Sequence, residues 1–230
     1  MNDIKITVSK EIYAACPEFH FSAILCQVKN SPYNDELWKE IDAFSEDFRA
    51  KYKMEDIAKR KTILATRQAY KKLGKDPSRY RPSAEALCRR IIKNANLYQI
   101  DTLVDLINLV SLKTGYSIGG FDADNIQGNL TLGVGKSGEP FEAIGRGMLN
   151  IEGLPVYRDE IGGIGTPTSD EERTKITTET TYLLMIINGY SGKEGLQEAM
   201  DYSVGLLTRF ADAKEIRTEI KSNLSTKTPH

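Results

Sequence analysis

The chain is predicted to fold as an α+β protein, and three observations carry that expectation. Segments with helical spacing gather between residues 33 and 114. Glycine-dense, alternating segments gather from Gly115 to Gly165. Two continuous apolar runs, Phe21 to Val28 and Tyr182 to Ile187, read as buried strands. Strands and helices therefore fall in blocks instead of alternating along the chain.

Ile4, Ile6 and Val8 alternate with polar residues and predict a first strand. Phe21 to Val28 predicts a second. Over residues 33–52, Leu37, Trp38, Ile41, Phe44 and Phe48 recur at helical spacing. A further helix is expected over 55–73, with Ile57, Leu64 and Tyr70 facing the core and Gly74 as its stop. Its basic residues are expected to face water. The loop 76–82 holds two prolines and two arginines, and Ser83 is expected to cap a helix running to about Asn94. Asp101 or Thr102 starts the next helix, whose buried side is Leu103, Leu106, Ile107 and Val110, and Gly115 ends it. Leu130, Leu132 and Val134 alternate, and Phe141, Ala143 and Pro155 to Tyr157 are further strand candidates. The Thr-rich stretch from 174 leads into the buried run. A last helix is expected over 193–212, from Leu196, Met200, Val204, Leu207 and Phe210. One domain is expected over residues 1–222, with a core at 75–190 and a strand-and-helix part at 1–74. The polar segment 223–230 is expected to be a flexible tail.

The net charge of −1 conceals an asymmetry. Residues 49–93 hold 15 basic and 4 acidic side chains, a net of +11, while the flanking segments are acidic. Concentrated positive charge in an acidic protein points to a polyanion partner. Arg67, Lys71, Lys72, Arg79, Arg81, Arg89 and Arg90 are the candidate RNA contacts, against the alternative of a solvated helical face. Tyr70 and Tyr80 interleave this run and favour RNA through base stacking.

The remaining composition excludes several chemistries. With histidine only at His20 and His230, a histidine-based triad has one interior candidate. Cys16, Cys26 and Cys88 show no paired spacing, so neither a disulfide framework nor a metal site is expected. Gly133-Val-Gly135 followed by Gly138 lies between strands with no helix behind it, and is read as a tight turn instead of a phosphate loop. No cofactor is called for. The first twenty residues carry charges throughout, and the longest apolar run is too short to span a bilayer, so a cytoplasmic protein is expected. Neither composition nor motif fixes an oligomeric state.

Residues 100–122 carry a resemblance. Ile100 to Asp122, with Asp105 and Asn108 on one helix and Gly115, Phe121 and Asp122 beyond it, resembles the central motif of the B3/B4 module in phenylalanyl-tRNA synthetase β subunits. Arg81 to Leu87 stands at that family's preceding helix. Glu152 to Asp159 and Gly163 to Ser169 look like its strand and Gly-rich turn. The resemblance implies a mixed, largely antiparallel sheet region packed with helices. It also implies a stand-alone relative that binds tRNA and hydrolyses misattached amino acids, with no synthetase activity of its own. The implied pocket is formed by Asn108, Gly119, Phe121, Gly163, Gly165, Thr166, Thr168 and Ser169. Gly119 stands where the family has histidine, and is expected to leave a roomier, less polar pocket. The family's acidic pocket residue has three candidates, Glu139, Glu142 and Glu152.

Two physical alternatives accompany these residues. Asn108 is either a ligand contact or a buried amide bonding a loop backbone. Gly162 to Thr166 either offers backbone N–H groups to an oxyanion or makes a tight turn. Ser169 with Glu172 reads as a capping box. Three functions remain: an aminoacyl-tRNA deacylase, a non-catalytic RNA-binding module, and a binder of an amino acid or similar metabolite.

Overall fold

The computed structural model describes residues 4–222, so the expected tail at 223–230 lies outside the described residues. The chain is α+β, with seven α-helices and ten strands among those residues. A four-stranded antiparallel sheet is ordered β10 (Lys214–Ser222), β2 (His20–Gln27), β9 (Tyr182–Gly189), β3 (Ile118–Asp122). A second sheet is ordered β1 (Ile6–Val8), β4 (Leu130–Val134), β7 (Pro155–Arg158), β8 (Gly163–Gly165), and its first pair is parallel. A small hairpin joins β5 (Glu142–Ala143) to β6 (Gly147–Met148).

The layers explain the two continuous apolar runs. One face of the first sheet, through Ile24, Cys26, Met185 and Ile187, packs on α2 (Asp35–Lys51), α6 (Thr102–Thr114) and α7 (Leu196–Ala211). Its other face, through Phe21, Leu25, Leu184 and Ile186, packs on Leu130, Leu132, Tyr157 and Ile164 of the second sheet. A strand covered on both faces has no reason to alternate polar with apolar residues.

Several expected elements appear close to their predicted bounds, and the departures have local causes. The helix expected over 55–73 is two, α3 (Met54–Ile57) and α4 (Lys61–Lys72). Between them Arg60 leaves helical geometry and its guanidinium donates to the carbonyls of Leu112 and Lys113, both at 2.8 Å. Those are C-terminal carbonyls of α6 with no partner inside that helix. The break shifts the helical phase, so Ile63 is buried and Leu64, expected in the core, is exposed. Gly74 takes the left-handed conformation just past α4, as expected of a stop.

Ser83 does not cap α5 (Ser83–Ile92). It is the first helical residue, Pro82 holds the cap position, and the Ser83 N–H donates to the Pro167 carbonyl at 2.8 Å. The Ser169–Glu172 capping box is also absent: Glu171 caps the short 3-10 turn Glu172–Thr174, through the Arg173 N–H. Strand β10 had no sequence-based expectation. Its charged residues alternate with Ile216 and Ile220, which pack against the helical side of the first sheet.

Among the described residues no helix is long and apolar enough to cross a membrane. All three cysteines are buried and unpaired by disulfides.

Candidate functional site

The site is built around α6. Asp101 accepts the Val104 N–H at 2.9 Å and caps its start, and Gly115 closes it with φ +76°. The helix is apolar on nearly every side because it lies between the first sheet and the α2–α5 layer. Asp105 is its buried acid, 1% exposed. It accepts the Trp38 indole N–H at 2.7 Å and the Ile100 N–H at 3.1 Å. Burial pushes its carboxyl up to about 6, against those two bonds. Asp105 is therefore a brace that fixes α6 to α2.

One turn on, Asn108 projects from the same helix into a cavity of about 420 Å³. Its side chain makes no hydrogen bond to another described residue. The reading of Asn108 as an amide satisfied by a loop backbone thus has no partner here, and the amide is presented to the cavity.

The walls are mostly apolar, with Ser83, Ser111 and Lys175 also on the lining. Val104 and Ile107 continue α6, Leu87 comes from α5, and Ile118 comes from β3. Gly120 forms part of the floor: a methyl group there would lie 2.7 Å from Ile107 Cδ1 and 3.1 Å from Ile176 Cδ1. Ile100 and Ile144 stand at the mouth, 55% and 39% exposed.

The fourth wall is the turn after β8. Thr166 Oγ1 accepts the N–H groups of Thr168 and Ser169, at 3.2 and 3.0 Å, and donates to the Ser169 carbonyl at 2.9 Å. Thr168 anchors the turn from behind, with its hydroxyl 2.8 Å from the Tyr70 hydroxyl and donating to the Tyr80 carbonyl at 2.7 Å. With the Ser83–Pro167 bond, α4, the 76–82 loop and α5 all hold this turn in place. Thr166, Ser169 and Asp170 face the cavity from it.

Asp170 is the acid of the pocket. Its Oδ2 accepts the Gly120 N–H at 3.1 Å, and the apolar surroundings push its carboxyl up to about 8. Desolvation of the charged form outweighs that single hydrogen bond. None of the three acids expected from the sequence lies here. Glu139 is engaged by Arg158 at 2.5 and 2.6 Å, and Glu142 and Glu152 are exposed elsewhere. In sequence Asp170 lies inside the Ser169–Glu172 stretch that reads as a capping box, and its place five residues after Gly165 is the available signal.

Of the expected pocket residues, Asn108, Thr166 and Ser169 line one cavity. Gly119, Phe121, Gly163, Gly165 and Thr168 stand behind its wall. Gly163 to Gly165 is neither an oxyanion loop nor a turn but strand β8. The flanking N–H groups are engaged, Gly162 to Asp159 at 3.1 Å and Thr166 to Ser169 at 2.9 Å. Its glycines answer to two phenyl rings. A Cβ on Gly163 would meet Phe141 at 3.0 Å, and one on Gly165 would meet Phe121 at 2.6 Å. Gly119 faces the same Phe121 ring from β3, at 2.7 Å. The expected extra room at Gly119 is thus filled by Phe121.

The seven candidate RNA contacts divide. Glu85 is fully buried and receives Arg67 and Arg89, each at 2.8 Å. Arg81 approaches the same carboxylate at 3.8 Å but stays half-exposed. Lys71, Lys72 and Arg79 are exposed. Arg90 stacks on Tyr98, 4.0 Å from the ring centroid. Much of the basic cluster is therefore internal scaffolding. Lys75 belongs to it too, donating to the carbonyls of Asn150 and Glu152 at 2.8 and 2.6 Å.

A model of the B3/4 domain family matches residues 65–211, a span that contains every cavity residue named above. The chain belongs to the B3/4 domain family. The match is wider than the expected core at 75–190, and it leaves outside β2, a central strand of the first sheet. Among solved structures, the chain is similar to an N-terminal fragment of the phenylalanyl-tRNA synthetase β-subunit from Pyrococcus horikoshii. That likeness has 16% identity and a TM-score of 0.49, and covers 94% of this chain. The chain spans about half the length of that fragment, 51%. No curated protein matches it. In this B3/4 domain the cavity is bounded by α5, α6, β3 and the turn after β8.

Proposed function

We propose that this B3/4 domain binds the aminoacylated 3′ end of a tRNA and hydrolyses a misattached amino acid in trans. The observation that carries the reading is the convergence of Asn108, Ser169 and Asp170 on one apolar-walled cavity. An apolar side chain suits those walls, and the three polar groups supply hydrogen-bonding partners for an ammonium, a carbonyl and a water.

In this reading a water oxygen attacks the ester carbonyl, and the carbon–oxygen bond to the ribose breaks. The water's proton passes, through Asp170 or directly, to the departing ribose oxygen. Asn108 orients the aminoacyl group. An aminoacyl ester is an activated bond, so holding ester and water together supplies much of the required acceleration. The electropositive surface left by Lys71, Lys72, Arg79 and Arg81 meets the RNA backbone, and binding weakens with salt because the gain from releasing counterions shrinks.

The test is a panel of mischarged tRNAs incubated with the protein. The expected result is faster deacylation of at least one of them than in buffer, with loss of that excess in Asn108→Ala and Asp170→Asn. No acceleration on any tRNA would sink the hydrolase.

A second reading keeps the pocket and drops the RNA: a free amino acid or similar metabolite bound by Asn108 and Asp170. The enclosed apolar walls favour it, since they need no nucleic acid. A ligand selective for the folded state raises the melting temperature, so a thermal-shift screen with free amino acids separates the two.

A further inference from the structure

A second cavity, of about 730 Å³, opens on the other side of the 94–100 segment. Asp42, Glu46 and Arg49 of α2 form one wall, and Asn94, Asn96 and Tyr98 form the other. The side chains of Asp42, Glu46, Asn94, Asn96 and Gln99 make no hydrogen bond to another described residue. Their donors and acceptors are thus available to a ligand.

Tyr98 is the unusual member. It is 68% exposed, among the largest exposures of any apolar or aromatic side chain here. Arg90 covers it from one side, and Arg90 is itself fixed by its Nε donating to the Asn96 carbonyl at 2.6 Å. Arg90 does not line the groove, so the tyrosine meets the groove with surface that Arg90 leaves uncovered. A ring held by a stacked guanidinium loses little freedom when a second flat group stacks on it.

The 94–100 segment separates the groove from the first cavity. Gln99 lines this groove and the adjacent Ile100 lines the other.

We propose that this groove is a nucleobase site, in which an unstacked base of single-stranded RNA stacks on Tyr98 and is read by Asp42, Glu46 and Asn96. Arg49 sets one positive charge against the two carboxylates, so the wall stays net acidic: it disfavours a phosphate and accepts from an exocyclic amine. Adenine, cytosine and guanine carry that amine and uracil does not. The proposal rests on the reading that RNA is the partner of the first cavity.

The test uses the full chain and two labelled trinucleotides, CCA, the sequence that ends mature tRNAs, and UUU. Binding is followed by fluorescence polarisation at low salt. The wild type is expected to favour CCA. Tyr98→Ala is expected to weaken CCA about tenfold, within the range found for removing a stacking aromatic, and to leave UUU little changed. Tyr98→Phe keeps the ring and is expected to keep the affinity. Melting curves confirm that both variants fold, which the exposure of Tyr98 favours. Equal binding of CCA by wild type and Tyr98→Ala overturns the groove, as does equal binding of CCA and UUU by the wild type. If mischarged tRNA is still hydrolysed in either case, the first cavity's function stands and only this inference falls. If the wild type binds neither RNA and deacylates nothing, both readings fall.

Discussion

Asp170 accepts the backbone N–H of Gly120 across 3.1 Å, joining the turn after β8 to the strand that floors the cavity. That bond is the carboxylate's one backbone donor, and burial, which penalises the charged form, outweighs it. A carboxyl held up to about 8 is mostly protonated in the folded state at neutral pH and ionised in the unfolded chain. The folded state therefore binds the extra proton. Stability contributed by Asp170 is present below the ordinary carboxylate range and is lost as pH rises through about 8. The slope is at most about 1.4 kcal/mol per pH unit. For a chain of this size that is roughly 2–4 °C per kcal/mol. Melting temperature should fall from pH 7 to pH 9 in the wild type and change much less in Asp170→Asn. Asp105 also sits high, at about 6, so the comparison is made above its range. Equal pH dependence in both proteins would remove Asp170 from the list of perturbed acids.

The same group sets an expected rate profile. If Asp170 takes the proton from water, the enzyme-dependent part of deacylation rises through about 8 as the carboxylate forms. The measurement is the rate above buffer between pH 6.5 and 9, with wild type and Asp170→Asn side by side. A flat wild-type profile would mean that Asp170 binds and does not move a proton.

The Phe121 ring makes Gly119→His a packing experiment. The new Cβ would lie 2.7 Å from the ring, so the variant should lose about 1–3 kcal/mol by overpacking. Phe121→Ala alone should lose about 3–5 kcal/mol by opening a cavity. The double variant should lose clearly less than the sum, because the imidazole enters space the phenyl vacates. Denaturant unfolding of the four proteins checks this, and strict additivity would show that the two residues do not share that space.

This pair also shows what the chain made legible and what it hid. The apolar face of α6 and the buried strands β2 and β9 are readable from the hydrophobic pattern, which reports which faces are covered, whereas the B3/4 motif is legible only through resemblance. Which way Gly119 points is not legible, because one residue along β3 exchanges the cavity face for the Phe121 face. Asn108, Thr166 and Ser169 were found by resemblance, but Asp170 was hidden in an acidic stretch that reads as a cap. Strand β10 was missed because its charged alternation resembles a polar tail until β2 offers an edge. The basic segment was visible as charge. That Arg60, Arg67, Lys75 and Arg89 serve carbonyls and Glu85 internally depends on tertiary contacts that composition cannot report.

Charge removal should therefore separate into two classes. Glu85→Ala strands the guanidinium groups of Arg67 and Arg89, and should cost about 3 kcal/mol, near the low end for breaking a buried pair because both arginines keep some water contact. Lys71→Ala, Lys72→Ala and Arg79→Ala should change stability by less than about 0.5 kcal/mol. If they contact RNA, each should lower the slope of log affinity against log salt by about 1. An unchanged slope in the triple variant would move the RNA path away from this face.

Asp105 and Asn108 lie three residues apart in one motif and should respond in opposite ways. Asp105→Ala leaves the Trp38 indole and the Ile100 N–H without their acceptor in a buried place, and each stranded donor costs roughly 1–3 kcal/mol. Melting temperature should drop sharply, and activity should fall only as far as the folded fraction does. Asn108→Ala breaks no bond to a described residue, so its melting temperature should hold within a degree or two. Its deacylation or ligand affinity should fall by tenfold or more, the loss expected when a polar ligand group is left without its partner. Parallel melting and activity measurements on the two variants test the division. A destabilised Asn108→Ala with normal activity per folded molecule would turn Asn108 into a second brace and leave Asp170 and Ser169 alone at the pocket's polar end.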